Sequence, residues 1–330
     1  MKKKKIVFFL LFCLFAGPFP VYGAESAGDV RLRVVATIFP EYDWVREVLG
    51  DSAQGVDVTL LLDNGVDLHN YQPTVDDMVK IAACDLFIYV GGESDKWVED
   101  ALKNVSNEGR AVLKLLEVLG PAVKNEERVE GMEEEAHEHE GHKEHDGHEH
   151  EAEADEHVWL SLRNAEVICR RIAEVLSGLD PQHGEVYAAN AGRYCGKLSE
   201  LDRRYREAVD GAARRVVLFG DRFPFRYLAD DYGLEYYAAF AGCSAETEAS
   251  FATVMFLANK AEELALPCVL TIEGTRHKIA ETVVASAGTK NRRVLSMDSM
   301  QSTTLKDAEG GATYLSVMEK NLETLRTALN

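Results

Sequence analysis

From Val30 to Leu119, apolar runs alternate with amphipathic segments of helix length. The runs VRLRVVATIF, VDVTLLL, DLFIYVGG and AVLKLLEV read as buried strands, since their apolar residues are nearly continuous rather than alternating. Between them, PEYDWVREVLG, PTVDDMVKIAA and SDKWVEDALKNV carry apolar residues at helical spacing, and the first two open with Pro at the first helical position. Strands separated by helix-sized segments predict a parallel sheet covered by helices, here over residues 30–120.

The periodicity stops between Pro121 and Glu156, where Glu, His, Gly and Lys dominate. This composition buries too little apolar surface to order itself, so 121–156 is expected to be a flexible insert. A helical segment follows over 157–180 and completes the first lobe. A longer one over 181–213 is interrupted only by glycines and would span roughly 45 Å. Over 214–330 the alternation returns, with strands RVVLFG, LEYYAAFAG, CVLTIEG and RVLSMD, helices between them, and a last helix from about Gly311 to Leu329. The predicted fold class is α/β, with two lobes of four parallel strands each, joined by one long helix.

The N-terminal MKKKKIVFFLLFCLFAGPFPVYGAES has a basic start, a short apolar run and small residues near Gly23, the pattern of a secretory signal peptide over 1–23. Export to the periplasm or to the outer face of the cytoplasmic membrane is expected. Cys13 sits behind bulky Phe12, which disfavours lipid attachment without removing it as an alternative. Cleavage would take the formal charge from −20 to about −24. Such acidity excludes nucleic acid as a natural partner and suits a monomeric protein that attracts cations. Five cysteines would remain, with no CxxC pair, so a cysteine zinc site is not expected. Cys169 and Cys195 fall on successive helices and could pair, although free buried thiols serve equally well.

In parallel α/β sheets, ligands bind beyond the carboxyl ends of the strands. His69 follows VTLLL, Asp221 follows RVVLFG, Glu273 follows CVLTI and Asp298 follows RVLSM, while His157 ends the insert in DEHVWLS. Each has a plainer role open to it: turn histidines cap helices, and strand-end carboxylates form turns. Together they are the groups that a Zn²⁺ or Mn²⁺ site draws on.

The chain resembles the zinc- and manganese-specific solute-binding proteins of bacterial ABC importers over almost all of the mature sequence. The resemblance is carried by ATIFPEYDWVREVLGD, GVDLHNYQPT with DMVKIAACDLFIYVGG, the acidic histidine-rich insert, DEHVWLSLRNA, YLADDYG, IEGTRHKIAETV and VLSMDSM. It implies two α/β lobes on a helical backbone, a membrane permease as partner, and metal ligands at His69, His157 and Asp298. His157 would be held by Trp159. At the position of the family's third ligand stands Arg222, which cannot ligate a cation. Asp221, Glu273 or water would then replace it. The insert histidines His137, His139, His142, His145, His148 and His150 would collect metal weakly. Zn²⁺ is the expected cargo, with Mn²⁺ as the alternative. A zinc hydrolase would need a general base, and neither an HExxH motif nor a context around Glu246 or Glu248 supplies one. An adhesin or metal buffer without a transport role would have the same cleft.

Overall fold

A computed structural model describes residues 30–103, 107–133, 153–244, 248–274, 277–289 and 291–330. The expected signal peptide and the six clustered histidines lie outside the described residues. The first lobe runs β1 (Leu32–Ala36), α1 (Phe39–Leu49), β2 (Val56–Leu60), α2 (Val75–Ala83), β3 (Leu86–Tyr89), α3 (Trp97–Lys103), β4 (Ala111–Lys114) and α4 (Leu115–Leu119). All pairings are parallel in the order β2-β1-β3-β4, with Leu32 opposite Val56, Val34 opposite Leu86 and Leu86 opposite Ala111. Next come α5 (Leu162–Leu179) and α6 (Gly184–Asp210). The second lobe follows as β5 (Val216–Phe223), α7 (Arg226–Tyr232), β6 (Glu235–Ala241), α8 (Phe251–Glu263), β7 (Cys268–Thr271), α9 (Lys278–Ser286), β8 (Arg293–Ser296), α10 (Leu305–Glu309) and α11 (Tyr314–Leu329). Its sheet is also parallel, in the order β6-β5-β7-β8. The expected fold is the observed one.

Several details differ from the sequence expectation. The apolar run AVLKLLEV is a short strand that turns at once into α4, because its second half keeps helical spacing. Pro40 does lie in the first turn of α1. Pro73, in contrast, precedes the N-cap Thr74, whose side chain caps α2 and is bonded in return by Asp77. The long helix begins at Gly184 after a 3₁₀ turn at Pro181–His183. Its 27 residues span about 40 Å. β5 extends three residues beyond RVVLFG, with a register irregularity between Phe219 and Arg222, so Asp221 and Arg222 are strand residues.

One apolar core runs through both lobes. Trp44, Phe87, Ile88, Trp159, Ile168, Leu198, Phe219, Tyr314 and Leu322 all belong to it, while Leu218, Val254, Leu257, Val269 and Val283 form a second, smaller core beneath α8 and α9. At one end of α6, Asn190 donates to the carbonyls of Val48 and Leu49 at the end of α1 (2.9 and 3.2 Å). Towards the other end, the Tyr205 hydroxyl donates to Met318 O on α11 (2.6 Å). The linking helix is thus fastened to both lobes. Among the described residues no helix is long and apolar enough to cross a membrane. Cys84, Cys169, Cys195, Cys243 and Cys268 are all free thiols.

The expected insert divides in the structure. Residues 134–152 lie outside the described part, but its two ends are built. Asn125 and Ala154 form an antiparallel bridge, Glu126 N donates to Glu153 O (2.8 Å) and Asp155 N donates to Lys124 O (2.8 Å). The Tyr227 hydroxyl accepts from Lys124 N (3.0 Å) and donates to Asp155 O (2.9 Å), tying this two-stranded stem to the second lobe.

Candidate metal centre

The loops after β2, β3, β6 and β8 meet the segment before α5 in the cleft between the lobes. His69 sits in a 3₁₀ turn (Leu68–Asn70) held by buried Leu68 and by the Asp67 carboxylate, which accepts His69 N (3.0 Å). His157 is completely buried, and Asp155 Oδ1 accepts both its backbone N and its ring Nδ1 at 2.9 Å. A carboxylate only accepts, so the proton of His157 resides on Nδ1 and leaves Nε2 with a free lone pair. His69 Nδ1 faces Ser94 Oγ (2.7 Å) and Glu156 Oε2 (3.4 Å), which favours the same tautomer. The two Nε2 atoms face each other at 3.2 Å. The Gln301 amide nitrogen stands 2.6 Å from one and 3.0 Å from the other, so its two protons meet the two lone pairs. The ring of Trp159 lies 5.2 Å from that of His157, its Nε1 donates to Ser299 O (2.8 Å), and it is fully buried.

The surrounding charge is negative. Burial works against ionisation of Glu156, but bonds from His69 and Ser94 outweigh it and hold the carboxyl below its ordinary range. Burial likewise opposes Asp67, and the Arg222 guanidinium together with His69 brings it down. Gly92, at φ +123°, lets Glu156 approach, since a Cβ there would lie 2.5 Å from Glu156 Oε1.

A third ligand-bearing residue joins the two histidines. Cys243, just after β6, places its sulfur so that all three ligand atoms lie within 4.8 Å of one another. Gly242 makes this possible, because a Cβ there would stand 3.1 Å from the His157 ring and 2.9 Å from Phe223 O. Glu126 Oε1 of the stem accepts Cys243 N (2.9 Å). Burial pushes the Cys243 thiol up, and Asp155, Glu126 and Glu156 act in the same direction, so without a cation the sulfur keeps its proton. Cys243 stands beside the histidines without any paired-cysteine motif in the sequence. The strand-end rule applied to LEYYAAFAG would have found Cys243.

The carboxylates singled out from sequence lie elsewhere. Asp221 accepts Thr271 Oγ1 (2.6 Å) and Ile272 N (3.4 Å) inside the second lobe. Its neighbour Arg222 points the other way, to Asp67 Oδ2 (2.6 Å) and Ser244 O (3.3 Å). Asp298 Oδ1 accepts Met300 N (2.8 Å), its ordinary role as a turn former, and Asn321 brackets its backbone. Glu273 accepts Ser299 N and Oγ (both 2.7 Å) and Gln301 N (3.3 Å). Burial raises Glu273, Asp298 adds to the rise, and burial raises Asp298 too. Met300 takes φ +60°, and this turn brings Gln301 to the histidine nitrogens while Asp298 accepts Met300 N. Glu273 therefore holds the loop that carries Gln301.

Comparisons with known proteins identify the relatives of this chain. The family model described as zinc-uptake complex component A, periplasmic (ZnuA) matches residues 34–328. The high-affinity zinc uptake system protein ZnuA of Bacillus subtilis is 32% identical over 93% of this chain and 90% of its own length. The zinc-binding protein AdcA of Streptococcus pyogenes (serotype M3) is 29% identical over 99% of this chain, which spans 61% of AdcA. Among solved structures, the Zn(II)-bound ZnuA-like domain of Streptococcus pneumoniae AdcA aligns with a TM-score of 0.68 at 27% identity, over 90% of this chain and 98% of that one. The laminin-binding protein Lmb of Streptococcus agalactiae, at 22% identity and a TM-score of 0.68 over 91% of this chain and all of its own, shows the shared fold. With two inter-lobe imidazoles, a helical backbone and a family match across nearly all described residues, the chain belongs to the ZnuA family of zinc-uptake complex components.

Proposed function

We propose that the protein captures Zn²⁺ outside the cytoplasm, between His69 and His157, and delivers it to the membrane permease of an ABC importer. The observation that carries this reading is the facing pair of Nε2 atoms. Two Zn–N bonds of about 2.05 Å at a tetrahedral angle put their nitrogens about 3.3 Å apart, and the two imidazoles stand at 3.2 Å. His157 is backed by the Asp155 carboxylate on its far nitrogen, which orients the ring and raises its basicity, and His69 by Ser94 Oγ with the Glu156 carboxylate 3.4 Å away. Gln301 then gives up its place or turns its carbonyl inward. Imidazole pairs favour Zn²⁺ over Mn²⁺.

In this reading the protein is a monomeric carrier that takes up and releases the ion unchanged; Asp155 already serves the His157 ring, and Glu156 lies 3.4 Å from that of His69. The stem roots the histidine-rich segment two residues before Asp155, so clustered imidazoles at 137–150 would raise zinc concentration beside the cleft. Asp298, Asp221 and Glu273 keep their roles within the second lobe in this reading.

Calorimetric zinc titration of a chain lacking residues 134–152 tests it. One tight site should survive the deletion. In that background His157→Ala should weaken it by more than the roughly 10- to 100-fold typical of losing a ligand's hydrogen-bond partner, and Asp298→Asn should cost far less. Loss of all tight binding on deletion would transfer the site to the clustered histidines and sink the proposal.

A further inference from the structure

We propose that Cys243 supplies the third protein ligand as a thiolate, making the centre a His₂Cys site selective for thiophilic divalent ions over Mn²⁺. This rests on the reading that His69 and His157 hold the cargo. Three separate observations support the added ligand. The Cys243 sulfur converges with the two imidazoles, all within 4.8 Å, and among the described residues this is the group of histidine, cysteine and carboxylate side chains that does so. A tetrahedral ion with Zn–N of about 2.05 Å and Zn–S of about 2.3 Å needs a sulfur–nitrogen separation of about 3.6 Å, so a small inward shift of the loop after β6 completes the set. Arg222, at the position where the family resemblance puts the third ligand, is committed to Asp67 and to Ser244 O, and it pins that loop one residue beyond the cysteine. Gly242 lets the backbone pass close to the His157 ring, where a Cβ would stand 3.1 Å from the ring and 2.9 Å from Phe223 O.

On binding, the S–H bond gives its electron pair to the metal and the proton leaves to solvent, one proton for each ion captured. A thiolate discriminates by softness: it strengthens Zn²⁺, Co²⁺ and Cd²⁺ binding and adds little for Mn²⁺. The identity of the third ligand thus sets which cation the importer receives.

The experiment is a Co²⁺ titration of the full chain, followed by absorption, with Cys243→Ser and His157→Ala alongside. The clustered insert histidines carry no sulfur, so a near-ultraviolet sulfur-to-cobalt charge-transfer band reports a cysteine ligand alone. The wild type should develop this band up to one equivalent. Cys243→Ser should lose it while still binding, with Zn²⁺ affinity lowered roughly 10- to 100-fold and Mn²⁺ affinity nearly unchanged. The other cysteines remain in that variant, so a band that persists in it overturns the assignment. Stoichiometric Co²⁺ binding without the band, abolished by His157→Ala, would keep the cleft and overturn the cysteine. If His157→Ala leaves both band and binding intact, the underlying site is wrong and this proposal falls with it.

Discussion

Single side chains in this protein are fixed by what their second polar atom touches. Asp155 uses one oxygen for both the backbone and the ring of His157, so the tautomer and orientation of that imidazole are decided before any ion arrives. Glu41 shows the same economy away from the cleft. Its Oε2 accepts Thr37 N, Thr37 Oγ1 and Ile38 N (2.8, 3.0 and 3.2 Å) at the start of α1, while Oε1 is buried without a partner. Burial, with Asp95 adding to it, raises this carboxyl from 4.5 to about 8. Below pH 4.5 both folded and unfolded chains hold the proton and nothing is lost. Between 4.5 and 8 the unfolded chain gives it up first, so stability falls as pH rises through that window and levels above it. Asp43 and Asp95, raised to about 6 and about 7, act with the same sign. Urea midpoints measured from pH 5 to pH 8 should therefore decline in the wild type and decline less in Glu41→Gln. Equal slopes would show that Glu41 is ionised in the folded protein.

At the scale of elements, the stem matters more than its composition suggests. Residues 121–133 are rich in glutamate like the histidine-bearing segment beyond them, yet Glu126 holds Cys243 N, Glu127 pairs with Arg226 (2.8 Å) and accepts the Tyr236 hydroxyl (2.9 Å), and Glu133 N donates to Ala239 O (2.9 Å). Gly131 lies so close to α8 that a Cβ would collide with Phe256. Removing 134–152 should leave the metal-free melting temperature within a degree or so, because no described contact is lost. Removing 126–153 strips these bonds and leaves buried donors unpaired, at roughly 1–3 kcal/mol for each, so its melting temperature should drop by several degrees. Identical melting curves would show the stem to be ornamental.

Across the whole molecule, the two lobes share one core and one 27-residue helix, an arrangement that favours small displacements at the cleft over a wide hinge. Arg222 and Asp67 make a charged contact across that cleft, largely shielded from solvent at 13% and 18% exposure. Asp67 is held below its ordinary range against the opposing effect of burial, so its contribution is present above the unfolded carboxylate pKa and is lost as pH falls through the lower folded value. Replacing Arg222 with Ala leaves a part-buried carboxylate uncompensated and frees the loop after β6. The Zn²⁺ dissociation rate into excess chelator should rise severalfold, with little change in the association rate. An unaltered dissociation rate would mean that the ion pair does not help to close the site.

How much of this was legible in the sequence depends on the range of the interactions involved. Strand and helix order, the two lobes and the linking helix come from local periodicity, which each segment carries within itself. His69 and His157 were legible because a turn after β2 and a motif before α5 hold them with neighbours only a few residues away, Asp67 for one and Asp155 and Trp159 for the other. Asp221, Glu273 and Asp298 were located on their strand ends, but their direction was not legible. An extended β5 turns Asp221 into the second lobe, and a left-handed Met300 swings Gln301 into the cleft in place of Asp298. Cys243 comes beside the histidines where its neighbour Gly242 passes close to His157 and where Arg222 and Glu126, from other elements, hold the backbone around it. The sequence by itself determined the architecture and the local seats of the two imidazoles; tertiary structure decided what stands beside them, since contacts between residues far apart in the chain choose which side of a loop faces the cleft.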